Sequence, residues 1–372
     1  MFLVPFTRLT ETQKGIIRRV SRGFDNLFVE GPPGSGKTLI SLYAIRDIVN
    51  NRNITPLVLM YNHSLHGYLK SSFRELGISD NITMATKDIF FWELAKALLI
   101  DTNNGYGYDY KSKYDGLLTE LLNKNLTQQW DIAIIDEVQD LTQKEWKLLK
   151  ILTGNIISLG DFNQKIYNTD LERNHVVYEA QVEILSDIFR FHKNIAKLAN
   201  KFSRNADNLE QKVIKVEQKQ PIVIDVNSKY EESTKVAEIL NTLHNHRSRI
   251  GIIAPSKERL QLLYDDLNLK NIKTAFFISN RDLKEYDFNS NTPLLITSHS
   301  AKGLEFENVI VLGFDNSIKD RFGHELDELI YVSLTRANSG LFIIRNNDTV
   351  SKLRSINVEQ KTSVDLDNIF SF

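Results

Sequence analysis

The stretch Phe28-Val29-Glu30-Gly31-Pro32-Pro33-Gly34-Ser35-Gly36-Lys37-Thr38 constrains this chain more than any other. It reads G-x-x-x-x-G-K-T, with an apolar run (Leu27 to Val29) entering it and a helical pattern (Leu39, Leu42, Ile45, Ile48) leaving it. A glycine turn that opens a helix aims several backbone N–H groups at one point, together with the positive end of the helix dipole. In this chain Gly31, Pro32, Pro33, Gly34, Ser35 and Gly36 would form that anion cradle. Lys37 can then reach the outer phosphates of a nucleoside triphosphate, and Thr38 can place a hydroxyl on Mg²⁺. A Gly/Pro surface turn is the plain alternative, and the flanking strand and helix argue against it.

Around this loop, apolar β-rich runs alternate with helical patterns. Strands are expected at 26–30, 57–61, 131–135, 155–159, 221–226, 250–254, 293–297, 308–313 and 341–345. Such alternation predicts an α/β fold with parallel sheets covered by helices, and 372 residues is long enough for two domains. The alternation breaks twice. Residues 101–116 read as a tyrosine-rich loop, and residues 201–220 as a polar connector carrying Lys201, Arg204, Lys212, Lys215 and Lys219. The formal net charge of −1 gives no global positive field, so any nucleic-acid site must be a local groove. The absence of cysteine removes disulfides, thiolate metal sites and thiol nucleophiles. The eight histidines show no metal-ligand spacing. No apolar run approaches the roughly 20 residues of a membrane span, and Met1 to Pro5 lacks the marks of a signal peptide. A cytoplasmic protein without a membrane partner is expected.

Several residues carry chemistry in principle. Thr10-Glu11-Thr12-Gln13 fits a helix capping box, and a glutamine just upstream of a phosphate loop could instead read an adenine edge. Ile132-Ala133-Ile134-Ile135-Asp136-Glu137 is a buried strand ending in two acids, at the end where open α/β sheets bind ligands. Asp136 is then a Mg²⁺ partner and Glu137 the base that activates water against the γ-phosphate. The bland reading is an acidic helix N-terminus. Ile156 to Gln164 is a further strand ending in polar groups, with Gln164 placed to orient water or sense the γ-phosphate. Arg190 and Arg336 each follow an apolar run. Phosphoryl transfer uses arginine fingers on the transition-state oxygens, whereas an isolated arginine is commonly a surface or ion-pair residue.

As a set, these segments resemble the motor core of superfamily 1 helicases, in particular the UvrD/Rep/PcrA-like group, over about residues 8 to 346. Thr10 to Gln13 resembles its Q motif, Gly31 to Thr38 motif I, and Leu57 to Asn62 motif Ia. Asp136-Glu137-Val138-Gln139-Asp140 is close to motif II, and Gly160 to Tyr167 resembles motif III. Phe189-Arg190 stands in the place of motif IV. Ser298 to Phe306 is similar to motif V, and Tyr331 to Ala337 to motif VI. The resemblance implies two RecA-like domains with ATP in the cleft between them. They would divide as 1–187, with a short insertion about 92–127, and 188–372. It further implies that Arg190 and Arg336 act as fingers, that Phe189 stacks on adenine, and that Glu305 contacts the nucleotide. Tyr61, Asn62, Tyr167, His299 and Ser300 would line a single-stranded DNA path, with translocation 3′ to 5′ by analogy.

The departures from the family pattern bear on activity. The first of the family's inserted subdomains is short here and holds Tyr106, Tyr108, Tyr110 and Tyr114, which either contact a junction or pack locally. The second is essentially absent, since about twenty residues separate Phe276 from Thr297. Two residues past Tyr167 the family carries a stacking tryptophan, and this chain has Thr169. The expected activity is an ATP-driven translocase or helicase on single strands, with a nuclease or a repair or defence protein as the candidate partner. The rival is an ATP-binding switch subunit that barely moves. A GTPase or small-molecule kinase is disfavoured, because no N-K-x-D sequence is present. Truncating Arg190 or Arg336 is expected to cut turnover and spare the fold.

Overall fold

Strands that are apolar along their whole length are stable only where both faces are covered, and this chain uses them that way. The computed structural model describes all residues except 1–3, 23–24, 53, 55, 61–68, 70–71, 79–81, 102–108, 168, 204–207, 217–218, 245–247, 278–285, 288–289 and 357–372. Two compact units divide at Ser186/Asp187. Each is built on a six-stranded sheet whose pairings are all parallel. The expected α/β class with two parallel sheets is borne out.

In the N-terminal unit the strands are β1 (Leu27–Glu30), β2 (Leu57–Met60), β3 (Thr83–Thr86), β4 (Trp130–Asp136), β5 (Thr153–Gly160) and β6 (Gln181–Ile184), in the order β3-β2-β4-β5-β1-β6. Alternate side chains enter two separate cores. Leu27, Val29, Val58, Met60, Ile132 and Ile134 pack on helices α1 (Glu11–Arg22) and α2 (Lys37–Arg52). Phe28, Leu57, Leu59, Ala133 and Ile135 face the opposite side. There they meet α3 (Lys87–Ala97), α4 (Tyr110–Leu122) and α5 (Gln143–Leu152). Slipping any central strand by one residue would exchange the two cores, so register is strongly specified.

The tyrosine-rich stretch is less loop-like than its composition suggests. Asp109 caps α4 by accepting from Ser112 N at 3.0 Å, and Tyr114, Leu117, Leu118 and Leu121 then fall on one buried face. Tyr110 and Tyr114 stack with ring centroids 6.0 Å apart, and Trp92 tilts against both. These two tyrosines therefore pack locally, while Tyr106 and Tyr108 lie outside the described residues. Helix α5 begins with a capping box between Thr142 and Glu145. The fully buried Glu145 carboxylate also accepts from Lys87 Nζ (2.8 Å) and Tyr114 Oη (2.7 Å).

The C-terminal unit holds β7 (Ile222–Asp225), β8 (Ile250–Ala254), β9 (Ala275–Phe276), β10 (Leu294–Thr297), β11 (Phe306–Val311) and β12 (Ala337–Arg345). Their order is β7-β12-β11-β8-β10-β9. On one face Val236 and Leu240 of α6 (Lys229–His244) and Leu260 and Leu263 of α7 (Lys257–Leu269) cover Ile224, Ile252, Leu295, Ile310 and Phe342. Helix α8 (Leu326–Leu334) is buried over nearly all its length and delivers Thr335 and Arg336. The polar stretch 201–220 is not a mere connector. Ile188 N donates to Lys212 O at 2.7 Å, Ile214 N donates to Ile188 O, and Leu209 is buried. Among the described residues, no helix is long and apolar enough to cross a membrane.

Candidate nucleotide-binding site

In the N-terminal unit three strand ends arrive level. Glu30 pairs with Gly160 in register, and Asp136 with Leu159, so β1, β4 and β5 all release their chains at the same edge of the sheet. Strand β5 lies between the other two, which sets the glycine loop, Asp136-Glu137 and Asp161 side by side at the carboxyl edge. Gly34 (φ 79°) and Gly36 (φ 91°) take left-handed backbone that other residues rarely adopt. A Cβ on Gly36 would also stand 2.5 Å from Gln13 Nε2. Both ends of that glutamine are engaged. Its Oε1 accepts from Thr10 N and its Nε2 donates to Ser35 O, each at 3.0 Å. The capping box is thus formed, and the same side chain grips the glycine loop.

Lys37 Nζ donates to Gly31 O (2.7 Å) and Pro32 O (3.2 Å), bracing the loop from within. Thr38 Oγ1 donates to Asp136 Oδ2 at 3.0 Å, across 98 residues of sequence. Ser35 Oγ is buried without a hydrogen-bond partner. A phosphate oxygen would satisfy it, and the Thr38–Asp136 pair offers the hard oxygen donors that Mg²⁺ takes. Asp136 is pushed up to about 7 by burial and by the adjacent Glu137, against the pull of Lys37 and the Thr38 hydroxyl. A dication beside it would favour the ionised form. The residues present therefore fit a magnesium-bound triphosphate.

Glu137 sits at φ 60°, ψ 49°, a left-handed conformation that is unfavourable for glutamate and is held by its surroundings. Its N–H donates to Asp136 Oδ1 at 3.1 Å. Asp161, buried and raised by that burial, accepts from Asn163 N and from Gln164 Nε2, both at 3.0 Å. Gln164 is consequently fixed beside the acids. Tyr167 follows it, half-buried. Tyr61 and Asn62, expected on the strand path, lie outside the described residues. Sequence reasoning passed over Gln139 and Asp161 as site residues. Asp161 had a signal, since it ends the apolar run of β5. Gln139, fully buried, had only its place in the Asp136 to Asp140 stretch that resembles motif II.

The C-terminal unit gathers a second cluster. Arg190 Nε donates to Glu305 Oε2 at 3.1 Å, and its Nη1 reaches Thr335 O at 3.4 Å. Arg336 is 1% exposed. It donates to Val332 O (3.0 Å), Leu304 O (3.3 Å) and Thr335 Oγ1 (3.2 Å). Arg190, Glu305 and Arg336 are thus brought together, with Phe189 partly exposed beside them. Thr297 caps the short helix Ser298–Ala301 by accepting from Ser300 N at 3.2 Å, and Ser333 of α8 donates to Ser298 Oγ at 2.9 Å. His299 is pushed down to about 4 by burial and by the Lys302 and Arg321 charges, so its imidazole is neutral near pH 7. Its ring lies 5.7 Å from that of Phe322.

The burial of Arg336 bears on the expectation that its truncation spares the fold. Removing its guanidinium takes the donor from Leu304 O and opens a cavity in a buried site, while Val332 O still accepts from Thr335 Oγ1, so Arg336→Ala should lower stability by about 2–4 kcal/mol. Arg190→Ala should cost less, about 1–2 kcal/mol. Urea melts without nucleotide check both. Equal, near-zero losses would show that neither arginine is structurally engaged.

A glycine-loop α/β unit with acids on the neighbouring strand ends defines the P-loop class of protein. Within it, a family model described as the UvrD-like helicase C-terminal domain matches residues 45–348, and the chain belongs to that family. It is 28% identical over 247 residues to a probable DNA helicase of Mycoplasma pneumoniae, across 61% of this chain and 45% of that one. It is 29% identical over 197 residues to the ATP-dependent DNA helicase PcrA of Staphylococcus aureus, across 48% and 26%. The chain thus spans less than half the length of these curated relatives. Among solved structures, an Arterivirus nonstructural protein 10 helicase with DNA aligns over 92% of this chain and 66% of that one. Its identity is 15% and its TM-score 0.45.

Proposed function

We propose that this chain hydrolyses ATP and uses the energy to move 3′ to 5′ along single-stranded DNA. The observation that carries the reading is the Thr38–Asp136 contact at 3.0 Å beside a loop whose Ser35 hydroxyl is buried without a partner. Thr38 and Asp136 would hold Mg²⁺, which when bound neutralises charge on the β- and γ-phosphates. Gln13, together with Lys37, braces the glycine loop whose N–H groups receive the phosphates. Glu137 takes a proton from the attacking water, whose oxygen bonds to the γ-phosphorus while the β–γ bridging oxygen leaves with ADP. Gln164 orients that water. Arg190 and Arg336 supply positive charge to the transferring group, Phe189 stacks on the base, and Glu305 holds Arg190 in place. Tyr61, Asn62, Tyr167, His299 and Ser300 contact the strand, where stacking adds about 1–3 kcal/mol per base and tolerates any sequence.

The test is ATP turnover with DNA of defined form. Single-stranded oligonucleotides should raise kcat at least ~10-fold, and blunt duplex of equal length should not, because stacking requires unpaired bases. A near-neutral chain makes few of the phosphate contacts that duplex binding needs. Turnover indifferent to single strands would favour a switch subunit acting through a nuclease or repair partner. Thr169, in the place of a stacking side chain, is the observation on that side.

A further inference from the structure

Three contacts converge on one buried residue between the two acidic strand ends, two on its side chain and one on its backbone carbonyl. Gln139 is 0% exposed. Its Nε2 donates to Glu137 Oε2 at 2.5 Å, and its Oε1 accepts from Asp161 N at 3.1 Å. Its own carbonyl accepts from Thr169 Oγ1 at 3.1 Å. Gly160 leaves no room for change, since a Cβ there would meet Gln139 Oε1 at 2.6 Å. A carboxylate with left-handed backbone has no intrinsic reason to aim one way, and here a buried, doubly engaged amide holds one of its oxygens.

We propose that Gln139 is the positioning residue that aims the Glu137 carboxylate, and that Thr169 ties the Tyr167 turn to it, so that strand occupancy adjusts water activation. This rests on the reading of Glu137 as the base. Thr169 N donates to Tyr167 O at 2.8 Å, so the turn that carries Tyr167 also carries the hydroxyl bonded to Gln139. Residue 169 departs from the family pattern, and its hydroxyl makes a bond that a tryptophan there could not. A base stacking on Tyr167 moves that turn, and the movement reaches Glu137 through the backbone and amide of one residue. A misaim of about 1 Å at a reacting group is enough to cost ~10²-fold in rate.

The experiment compares Gln139→Leu, Thr169→Val and Thr169→Ser with the wild type. Readouts are steady-state ATPase with and without oligonucleotide, the Kd of a fluorescent ATP analogue, and thermal melting without nucleotide. Gln139→Leu should keep Kd and KM within about threefold and lose at least ~10-fold in kcat. Thr169→Val should lose at least half of the single-strand stimulation, and Thr169→Ser, which keeps the hydroxyl, should retain it. Wild-type kcat in Gln139→Leu, or equal stimulation in all Thr169 variants, overturns the proposal while leaving the reading of the site intact. Proportional losses in Kd and kcat together with a lowered melting temperature overturn it in favour of a purely structural role. If Gln139→Leu does not fold, the Thr169 pair decides by the same criterion. An inert wild type brings down the reading of Glu137, and this proposal with it.

Discussion

Glu137→Gln should bind magnesium-ATP with wild-type affinity and hydrolyse it at least ~10²-fold more slowly. The amide has the shape of the carboxylate and keeps an oxygen for the Gln139 contact, so the local packing survives. It removes only the capacity to accept a proton from water. A general base in the transition state contributes about 10²–10⁴-fold, which places the loss far outside the scatter of a steady-state assay. Because the substitution leaves the glycine loop and the Thr38–Asp136 pair untouched, the Kd of a fluorescent analogue should stay within about threefold. Turnover close to wild type would remove Glu137 from the chemistry. Loss of binding and turnover together would mean that Glu137 holds the site rather than acts in it.

What the sequence revealed follows from where information is local. The glycine loop was legible because its chemistry requires residues at fixed spacing within eight positions. Central strands were legible because burial on both faces demands unbroken apolar runs, as in Ile132 to Ile135. Strands β3, β6 and β9 were not expected, and all three are sheet edges. An edge is covered incompletely, so Thr83–Thr86 is mostly half-buried and Gln181–Ile184 mostly exposed, and neither shows a strong pattern. Helix α4 was hidden by its tyrosines, although Asp109 was a readable cap. Contacts between distant segments left no trace. Nothing local says that Lys87 is buried against Glu145, 58 residues on, or that Arg336 turns inward to Leu304 and Val332. The family resemblance named Arg336 as a finger, and only the structure showed how firmly it is held within its own unit.

Asp136 should be at once indispensable for turnover and a burden on the metal-free fold. Its carboxyl has an ordinary value of 3.8 and is raised to about 7 by burial and by Glu137. Between those values the folded protein keeps a proton that the unfolded chain has released. Stability contributed by this group is therefore present below about pH 4 and is lost as pH rises through 7. Each unit of pH in that window costs about 1.4 kcal/mol, which sums to at most on the order of 4 kcal/mol by pH 8. An asparagine in place of the acid carries no charge and can keep both contacts, since its oxygen can accept from Glu137 N while its amide donates to the Thr38 hydroxyl. In EDTA, Asp136→Asn should melt several degrees above the wild type at pH 8, with the gap closing towards pH 5. Because Asp161 is also raised by burial and titrates in both proteins, the difference between them is the quantity to follow. Adding Mg²⁺ and ATP should raise the melting temperature of the wild type more than that of the variant, because only the wild type retains the carboxylate that fits the cation. The variant should show no measurable ATPase. A gap that stays constant from pH 5 to pH 8 would mean that the Asp136 carboxylate is not strained in the metal-free fold. Equal stabilisation of both proteins by Mg²⁺ and ATP would move the cation site away from Thr38 and Asp136.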